Sequence, residues 1–431
     1  MMDLAAINPL LKDEYEDYVA ELVHTETVAL DQFTEGDMES ADGRRVIIAA
    51  HLRRDHAGVG FVGEGRQLPT PAAEQSGFFT VPFRKSAARF QVTKEAIDQA
   101  QTNRGSFVRT LSYIMDHLVE NLTDIRNKAM CHFGSDIIGR VNGNPAANAT
   151  TITVDDPGGV AMPTGVSNGS RFFQVGQVLA GISAGAIVAN SPVTVAGIAP
   201  ASAYNDITLA ANTANFADND VFVRAGSSTI TSIEDTSYLQ APMGLLGHVD
   251  DGTYVMDYFG LSRQTWDVLK SYVFSSVGAL SSDTLQQGVD VAYSRGRGKI
   301  SKFLCEQAVR RQILALREGD VRYEGSGNVN PDAGSKAGHT GRTISYAEID
   351  ILVDYNFPYG MLMGLDNSGL IHYQVVPGKF EDWGGSVLLP AAGTHTATGL
   401  FYIYDNFFND AANKSVRWDG IDVSVTNIHI E

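Results

Sequence analysis

Ala87 to Phe133 reads AARFQVTKEAIDQAQTNRGSFVRTLSYIMDHLVENLTDIRNKAMCHF. An extended segment runs into one long amphipathic helix. Phe107, Leu111, Ile114, Leu118, Leu122, Ile125 and Ala129 recur at steps of three and four and so share one helical face. Arg109, Ser112, Asp116, Glu120 and Asn127 fall on the other. Ser106 to Cys131 spans about 26 residues, roughly 39 Å at 1.5 Å per residue, with no glycine or proline inside it. Helices in globular domains average about 11–12 residues. A helix of this length suits a thin, flat subunit that must be spanned from edge to edge. Leu118 and Leu122 sit mid-stripe and are expected in the core.

The preceding stretch, Ala57 to Phe90, reads AGVGFVGEGRQLPTPAAEQSGFFTVPFRKSAARF. Gly58, Gly60, Gly63 and Gly65 cluster, followed by Pro69 and Pro71. Phe78 to Phe83 is β-prone, and Pro82 suits an edge strand or a bend. The pattern predicts a hairpin. A long hairpin with few core residues is costly to order alone, so either it folds over its own domain or a neighbouring chain orders it.

A glycine-rich hairpin ending in FQVTKEAID, followed by a helix opening GSFVRTLSYIMDHLVENL, resembles the extended loop and spine helix of tailed-bacteriophage major capsid proteins of the Hong Kong 97-type shell fold. Met243 to Tyr254 (MGLLGHVDDGTY) with Ser262 to Val273, and Val353 to Gln374 with Trp383 to Phe407, are similar to the same family and occur in its order. The resemblance covers most of residues 50–431. It implies an α+β capsid fold in five parts. These are an N-terminal arm (1–56), the extended hairpin loop (57–92), the spine helix and start of a peripheral domain (93–149), an insert (150–235), and an axial domain with the rest of the peripheral domain (236–431). It implies a structural, non-enzymatic protein that assembles with itself, as hexamers and pentamers, into an icosahedral shell around a phage genome. Such a protein is built in the host cytoplasm and ends in the virion. Portal, scaffolding and decoration proteins are further candidate partners. A bacterial nanocompartment shell of the same fold is the alternative, and a hydrolase with a β accessory domain a distant one.

Composition accords with this. The chain has 431 residues and 44% hydrophobic content, enough for a large core. No run approaches 18 apolar residues, so no membrane span is expected. The acidic start, MMDLAAINPLLKDEYEDYVAELV, lacks the pattern of a signal peptide. Cys131 and Cys305 form no CxxC and are expected free and buried. A net charge of −18 argues against a chain built to grip nucleic acid, which needs cationic side chains to displace counterions. Contact with packaged double-stranded DNA would be weak.

Residues 150–230 change character. They carry no Glu, five Asp and two Arg, a net of −3. Short β-prone runs (TTITV, FFQVGQVLAGI, AIVA, PVTVAGI, DITLA, DVFVRAG) alternate with turn signals such as Asp156-Pro157-Gly158-Gly159. This predicts a small inserted β-barrel or sandwich, against the alternative of one continuous sheet with the main domain. Downstream, Arg263 to Val273, Asp283 to Tyr293 and Glu306 to Glu318 read as helices, the second capped by Ser282 or Asp283. Phe303 to Cys305 reads as a buried strand, and Arg317 to Arg342 as a long polar loop. ISYAEIDILVDY, GMLMGLD, LIHYQVV and GLFYIYDNFF read as closing strands.

Chemistry is sparse. Gly165 to Gly169 fits G-x-S-x-G, but a nucleophile elbow needs a strand before it and a helix after it, and Pro163 and RFFQV do not supply them. Asp250-Asp251-Gly252 and Asp218-Asn219-Asp220 lack the ligand set of an EF-hand and read as turns. No catalytic, cofactor or metal residue is nominated. The candidate subunit contacts are Arg66, Phe78, Phe83, Arg84 and Lys85 on the hairpin, and Arg295, Arg297 and Lys299 in a basic cluster that continues to Lys302, Arg310 and Arg311. That cluster could meet DNA phosphate, acidic neighbours or solvent. Lys85 has no recognisable Asn and Glu partners for an isopeptide bond, so cohesion is expected to be noncovalent.

Overall fold

The computed structural model describes residues 27–36, 44–54, 56, 58–71, 73–93, 104–163, 166–199, 205–210, 214–226, 229–318, 344–347, 349–382, 389–390 and 396–423. Most of the Arg317–Arg342 loop and of the first 43 residues, with Gly165 of the G-x-S-x-G pattern, lies outside them. A short strand β1 (Thr34–Glu35) precedes β2 (Arg45–Arg53), which pairs antiparallel with β3 (Gln75–Pro82). These two strands form a sheet of their own. The hairpin therefore begins upstream of residue 57. Its inward positions pair Val46 with Val81 and Ile48 with Phe79, so RVIIAAHLR supplies the complementary apolar face.

β4 (Arg84–Thr93) follows at once, and then α1 (Arg104–Cys131), 28 residues long. Side chains on α1 are described from Met115, so Phe107, Leu111 and Ile114 lie outside the described set. Of the predicted stripe, Leu122 and Ala129 are buried, while Leu118 and Ile125 are half-buried. Asn127, expected on the polar face, is fully buried. Its amide donates to Asp354 Oδ2 at 2.8 Å and its Oδ1 accepts from the Leu30 N–H at 3.3 Å. From Arg126 to Cys131 the helix is buried on every side, because the chain around Leu30 and the loop at Asp354 cover the face that would otherwise meet water.

Six antiparallel strands then close into a ring: β5 (Ile137–Val141), β6 (Thr151–Asp155), β7 (Val178–Ser183), with β8 (Ala186–Ile187) hung on its edge, then β9 (Val193–Ala199), β10 (Asp206–Leu209) and β11 (Val221–Arg224). The order is β11-β5-β6-β10-β9-β7, and β7 pairs back onto β11. Closure removes the open edges. Ile138, Ile152, Val154, Leu179, Val195, Ile207 and Phe222 fill the interior. Two details differ from the sequence reading. Ile137–Val141 joins the ring from before residue 150, and Phe172-Phe173 is a turn whose rings plug the barrel rather than a strand. The barrel meets α1 through Phe172: Lys128 Nζ lies 4.0 Å from its ring centroid, and the His132 ring meets it edge-on at 5.5 Å.

After a short helix α2 (Leu245–His248), the strands β12 (Asp257–Tyr258) and β13 (Leu261–Ser262) form a tight hairpin, and β14 (Tyr272–Phe274) follows. The helix expected over 263–273 is absent; only a 3-10 turn at Asp267–Leu269 is present. The reason is Arg263. Its guanidinium is fully buried and donates to the carbonyls of Gly247, His248, Val255 and Leu269. The Leu269 carbonyl, which a helix would give to Val273, is taken by that side chain, and the backbone here closes only short turns.

The remainder alternates as expected: α3 (Ser282–Gly296), β15 (Lys302–Cys305), α4 (Gln307–Glu318), β16 (Ile344–Tyr346), β17 (Ile349–Val353), β18 (Leu362–Leu365), β19 (Leu370–Phe380), β20 (Leu389–Pro390), β21 (Thr396–Asn409) and β22 (Val416–Trp418). The cap of α3 is Ser281, whose hydroxyl accepts from the Thr284 N–H, one residue earlier than read from sequence. A mixed sheet in the order β14-β22-β18-β15-β17-β16 packs on α3 and α4. A second sheet orders β1-β19-β21-β20, with β4 on the other edge of β21. The architecture is α+β. Cys131 and Cys305 are both free and buried, and burial raises both thiol pKa values.

Gly288 lies mid-helix in α3, where a Cβ would stand 2.0 Å from the Trp418 ring. Trp418 is fully buried and donates its indole N–H to the Thr284 carbonyl at 3.1 Å. Helix propensity alone favours Gly288→Ala by about 1 kcal/mol. Overpacking against a fixed ring costs about 1–3 kcal/mol. The expected outcome is a net loss of stability, read as a lower urea midpoint with unchanged m-value.

Burial lowers the pKa of His132 and of His248 from 6.5 to about 3. Below about pH 6.5 the unfolded chain takes up protons at these imidazoles and the folded chain does not. Stability is therefore lost as pH falls from 6.5 toward 3, at up to roughly 1.4 kcal/mol per pH unit for each histidine. Asp155, raised to about 6 chiefly by burial, acts in the opposite sense over part of that window. His132→Gln should lose less stability than wild type between pH 7 and 5, measured by urea unfolding at each pH.

Candidate assembly surface

The arm formed by β2 and β3 has two unlike faces. Inward, Val46, Leu52, Phe79 and Val81 are buried against Tyr258, Phe259, Tyr373 and Phe408 of the body. Phe79 meets the Phe408 ring at 5.0 Å and the Tyr258 ring at 5.9 Å, both edge-on. Outward, Ala49 and Phe78 face each other across the pair, and Phe78 is 65% exposed. Between the strands, the described residues of 54–74 form a tip. Val59, Phe61 and Leu68 are exposed there, Phe61 completely. Burying one such side chain contributes about 1.5–3 kcal/mol. No described residue of the subunit covers them.

A cavity of about 920 Å³ opens where the two arm strands run out into the tip. The arm contributes His51, Arg53, Arg54 and His56. The body contributes Arg295 and Arg297, at and just beyond the end of α3, with Val268 and Asn413. No described carboxylate lines it, although Asp55, outside the described residues, lies beside Arg54 in the sequence. Among the described residues, none of the four arginines makes a salt bridge. In a chain of net charge −18, this is a local reversal of sign.

The candidate contact residues do not form one patch. Arg66 is on the tip and Phe78 on the outer face of the arm. Phe83 packs partly buried against the body. Arg84 and Lys85 are on β4, opposite Asp405 and Tyr404 of β21, and not on the free part of the hairpin. Arg84 is half-buried and donates to Gln240 Oε1 at 3.3 Å; partial burial lowers its pKa. Lys85 is exposed, with its ammonium 5.5 Å from the Tyr404 ring centroid and 5.9 Å from that of Tyr402. Arg295 and Arg297 share the cavity. Lys299 is exposed nearby, its backbone N–H bonded to Asp366 at 3.0 Å, and Lys302, Arg310 and Arg311 stand on β15 and α4, away from the lining. The arm's own contribution, Arg53 and Arg54 between His51 and His56, went unread; its signal was HLRRDH, a dense basic run in a chain with few cations.

Motifs that suggested chemistry resolve as structure. Val166 to Phe173 runs as a bridge and a turn, with no helix after Ser167. Asp250 accepts from the Gly252, Tyr254 and Val255 N–H groups, and Asp218 from the Gly143 N–H. No helix among the described residues is long and apolar enough to cross a membrane.

No protein-family model matches the chain, and no curated protein sequence matches it. Solved structures do. The chain has a capsid fold. It aligns with the cyanophage A-1(L) capsid asymmetric unit at TM-score 0.57 and 11% identity, over 97% of this chain and 99% of that one. It aligns with the capsid of a native GTA particle at TM-score 0.51 and 10% identity, over 97% and 98%. At these identities the likeness is one of fold.

The placement of Arg84 and Lys85 separates two effects. Arg84→Glu should lower the stability of the isolated subunit by about 1–3 kcal/mol, because it breaks a half-buried contact. Phe78→Ser, on the outer face, should change it by less than about 0.5 kcal/mol. Urea unfolding of both variants checks this ordering.

Proposed function

We propose that this chain is a major capsid protein of the Hong Kong 97-type fold, which assembles with copies of itself into a closed icosahedral shell around a phage genome. The observation that carries the reading is the arm: its base is anchored in the subunit and its tip and outer face present Phe61, Leu68 and Phe78 to nothing. The capsid fold supports it. In this reading the arm is the extended loop that lies over a neighbouring subunit, and α1 is the spine. The barrel, near residues 150–235 with β5 added, is an inserted domain. Residues 236–431 supply the axial domain and the rest of the peripheral domain. The role is structural and the destination is the virion, with hexamers and pentamers as the assembly units. Portal, scaffolding and decoration proteins would be further partners. A net charge of −18 leaves packaged DNA free to slide, because few cations are available to hold phosphate.

Electron micrographs of the purified protein should show closed shells. Deleting residues 58–71 removes the exposed tip but spares the anchored Phe79 and Val81. That variant should remain a folded, soluble subunit by circular dichroism and form no closed shells by light scattering and microscopy. Normal shells from it would remove the arm from the mechanism. A wild-type protein that stays monomeric in all conditions would overturn the reading as a whole.

A further inference from the structure

The basic cavity where the arm strands meet the tip is unlike the rest of the molecule. Its lining comes from two bodies. Arg53 and Arg54 belong to the arm, and Arg295 and Arg297 to the end of α3. The four arginines line one space of about 920 Å³ with no described carboxylate in the lining, while the Arg295 guanidinium also reaches the Asp267 carbonyl at 3.5 Å. Positive charge gathered on one space favours an anion that enters it. A guanidinium pairs with a carboxylate through a two-pronged hydrogen bond, so the site suits an extended acidic peptide with carboxylates at several successive positions.

The chain supplies such a peptide. Residues 1–26 hold seven carboxylates against one lysine, and four of them fall within Asp13-Glu14-Tyr15-Glu16-Asp17. The described chain begins beyond them at Thr27. We infer that this acidic segment docks in the Arg53–Arg54–Arg295–Arg297 cavity, in its own subunit or in an adjacent copy, and so ties the arm to the body. The adjacent copy is available only if the chain assembles as proposed above. Packaged nucleic acid is the other polyanion the charge would accept. It is disfavoured because the rest of the surface carries the opposite balance, whereas a short peptide needs only the cavity itself. Occupancy has a mechanical consequence. An anion bonded to both pairs of arginines holds the loop end of the arm strands against the end of α3.

Disulfide trapping in the full chain tests this. Both native cysteines are buried, so thiols introduced at exposed positions react alone. Glu16→Cys with Arg297→Cys should cross-link under mild oxidation about tenfold more than Glu16→Cys with Glu234→Cys on the exposed turn after the barrel, the ratio expected when docking raises the local concentration. A band of dimer mass places the segment in a neighbouring copy; a link within one chain, mapped by proteolysis and mass spectrometry, places it in its own. Adding Asp13→Lys, Glu14→Lys and Asp17→Lys should bring the yield down to that of the control pair. Equal yields for the two pairs overturn the inference. So does added duplex DNA shielding the thiol at position 297 from maleimide while the cross-link stays at control level, which would assign the cavity to nucleic acid. Microscopy of the same samples reads assembly separately: shells without the cross-link remove only this inference, and a cross-link within monomers that never form shells removes only the assembly reading.

Discussion

The fold depends on one buried carboxylate. Asp250 is fully buried between two fully buried arginines, with Arg417 3.1 Å from its Oδ1 and Arg263 3.4 Å from its Oδ2. Arg417 also pairs with Asp419 at 2.9 Å, so two cations and two anions share one interior site. Removing one partner from such a group costs about 3–5 kcal/mol, because it strands a charge without solvent. The network earns its position by what it joins. Arg417 is on β22 of the six-stranded sheet. Arg263 stacks 4.5 Å from the ring of Tyr258, which lies beneath the arm. Arg417 lies 5.1 Å from the ring of Tyr254, which stacks in turn on Phe133 at the end of α1. Sheet, arm and long helix are therefore oriented by one set of ion pairs.

That constraint explains where sequence and structure part. Periodicity reported the long helix, α3, α4 and the buried strand at Phe303 to Cys305, because each is held by its own apolar pattern. It failed at 263–273, where Trp266, Leu269 and Val273 have helical spacing but Arg263 takes the Leu269 carbonyl that a helical ladder would need. A tertiary ion network has no local signature, so no window of sequence could have shown it. Asn127 failed for a related reason: an amide looks solvent-facing until Asp354, more than two hundred residues later, closes over it. Ile137–Val141 was missed because IIGRV is too short to stand out after a helix. Its partners are set by barrel closure.

The candidate site was legible in part. A hairpin was readable from glycine and proline spacing, and Phe78 was named on it, but the exposed Val59, Phe61 and Leu68 of its tip were not. The strand that anchors them, Arg45–Arg53, was not assigned to the hairpin, since its alternation is carried by alanine as well as isoleucine. Arg84 and Lys85 follow the β-prone run directly, and sequence continuity suggested that they ride on it. Pro82 and Phe83 end the arm at that point, and β4 turns into the body sheet. Half of the basic cavity, Arg295 and Arg297, was visible as charge. The other half required knowing that β2 ends beside α3.

Inside the subunit several buried charges are paired: Asp250 has its two arginines, Arg126 and His372 share Asp405, and Arg224 meets Asp136. Hydrophobic surface is closed in the barrel, where the last strand pairs back to the first. At the arm two kinds of surface stay open. Its tip leaves apolar side chains in water, and beside it, where the arm strands end, Arg53, Arg54, Arg295 and Arg297 line a cavity without a described carboxylate. Both are places where binding energy is still to be gained, and they have different physics. Apolar contact at the tip is strong, short-ranged and insensitive to salt. Charge in the cavity is screened within about 10 Å at moderate salt. An arm that carries both kinds of surface can be gripped by apolar contact while ionic strength tunes its charged contact.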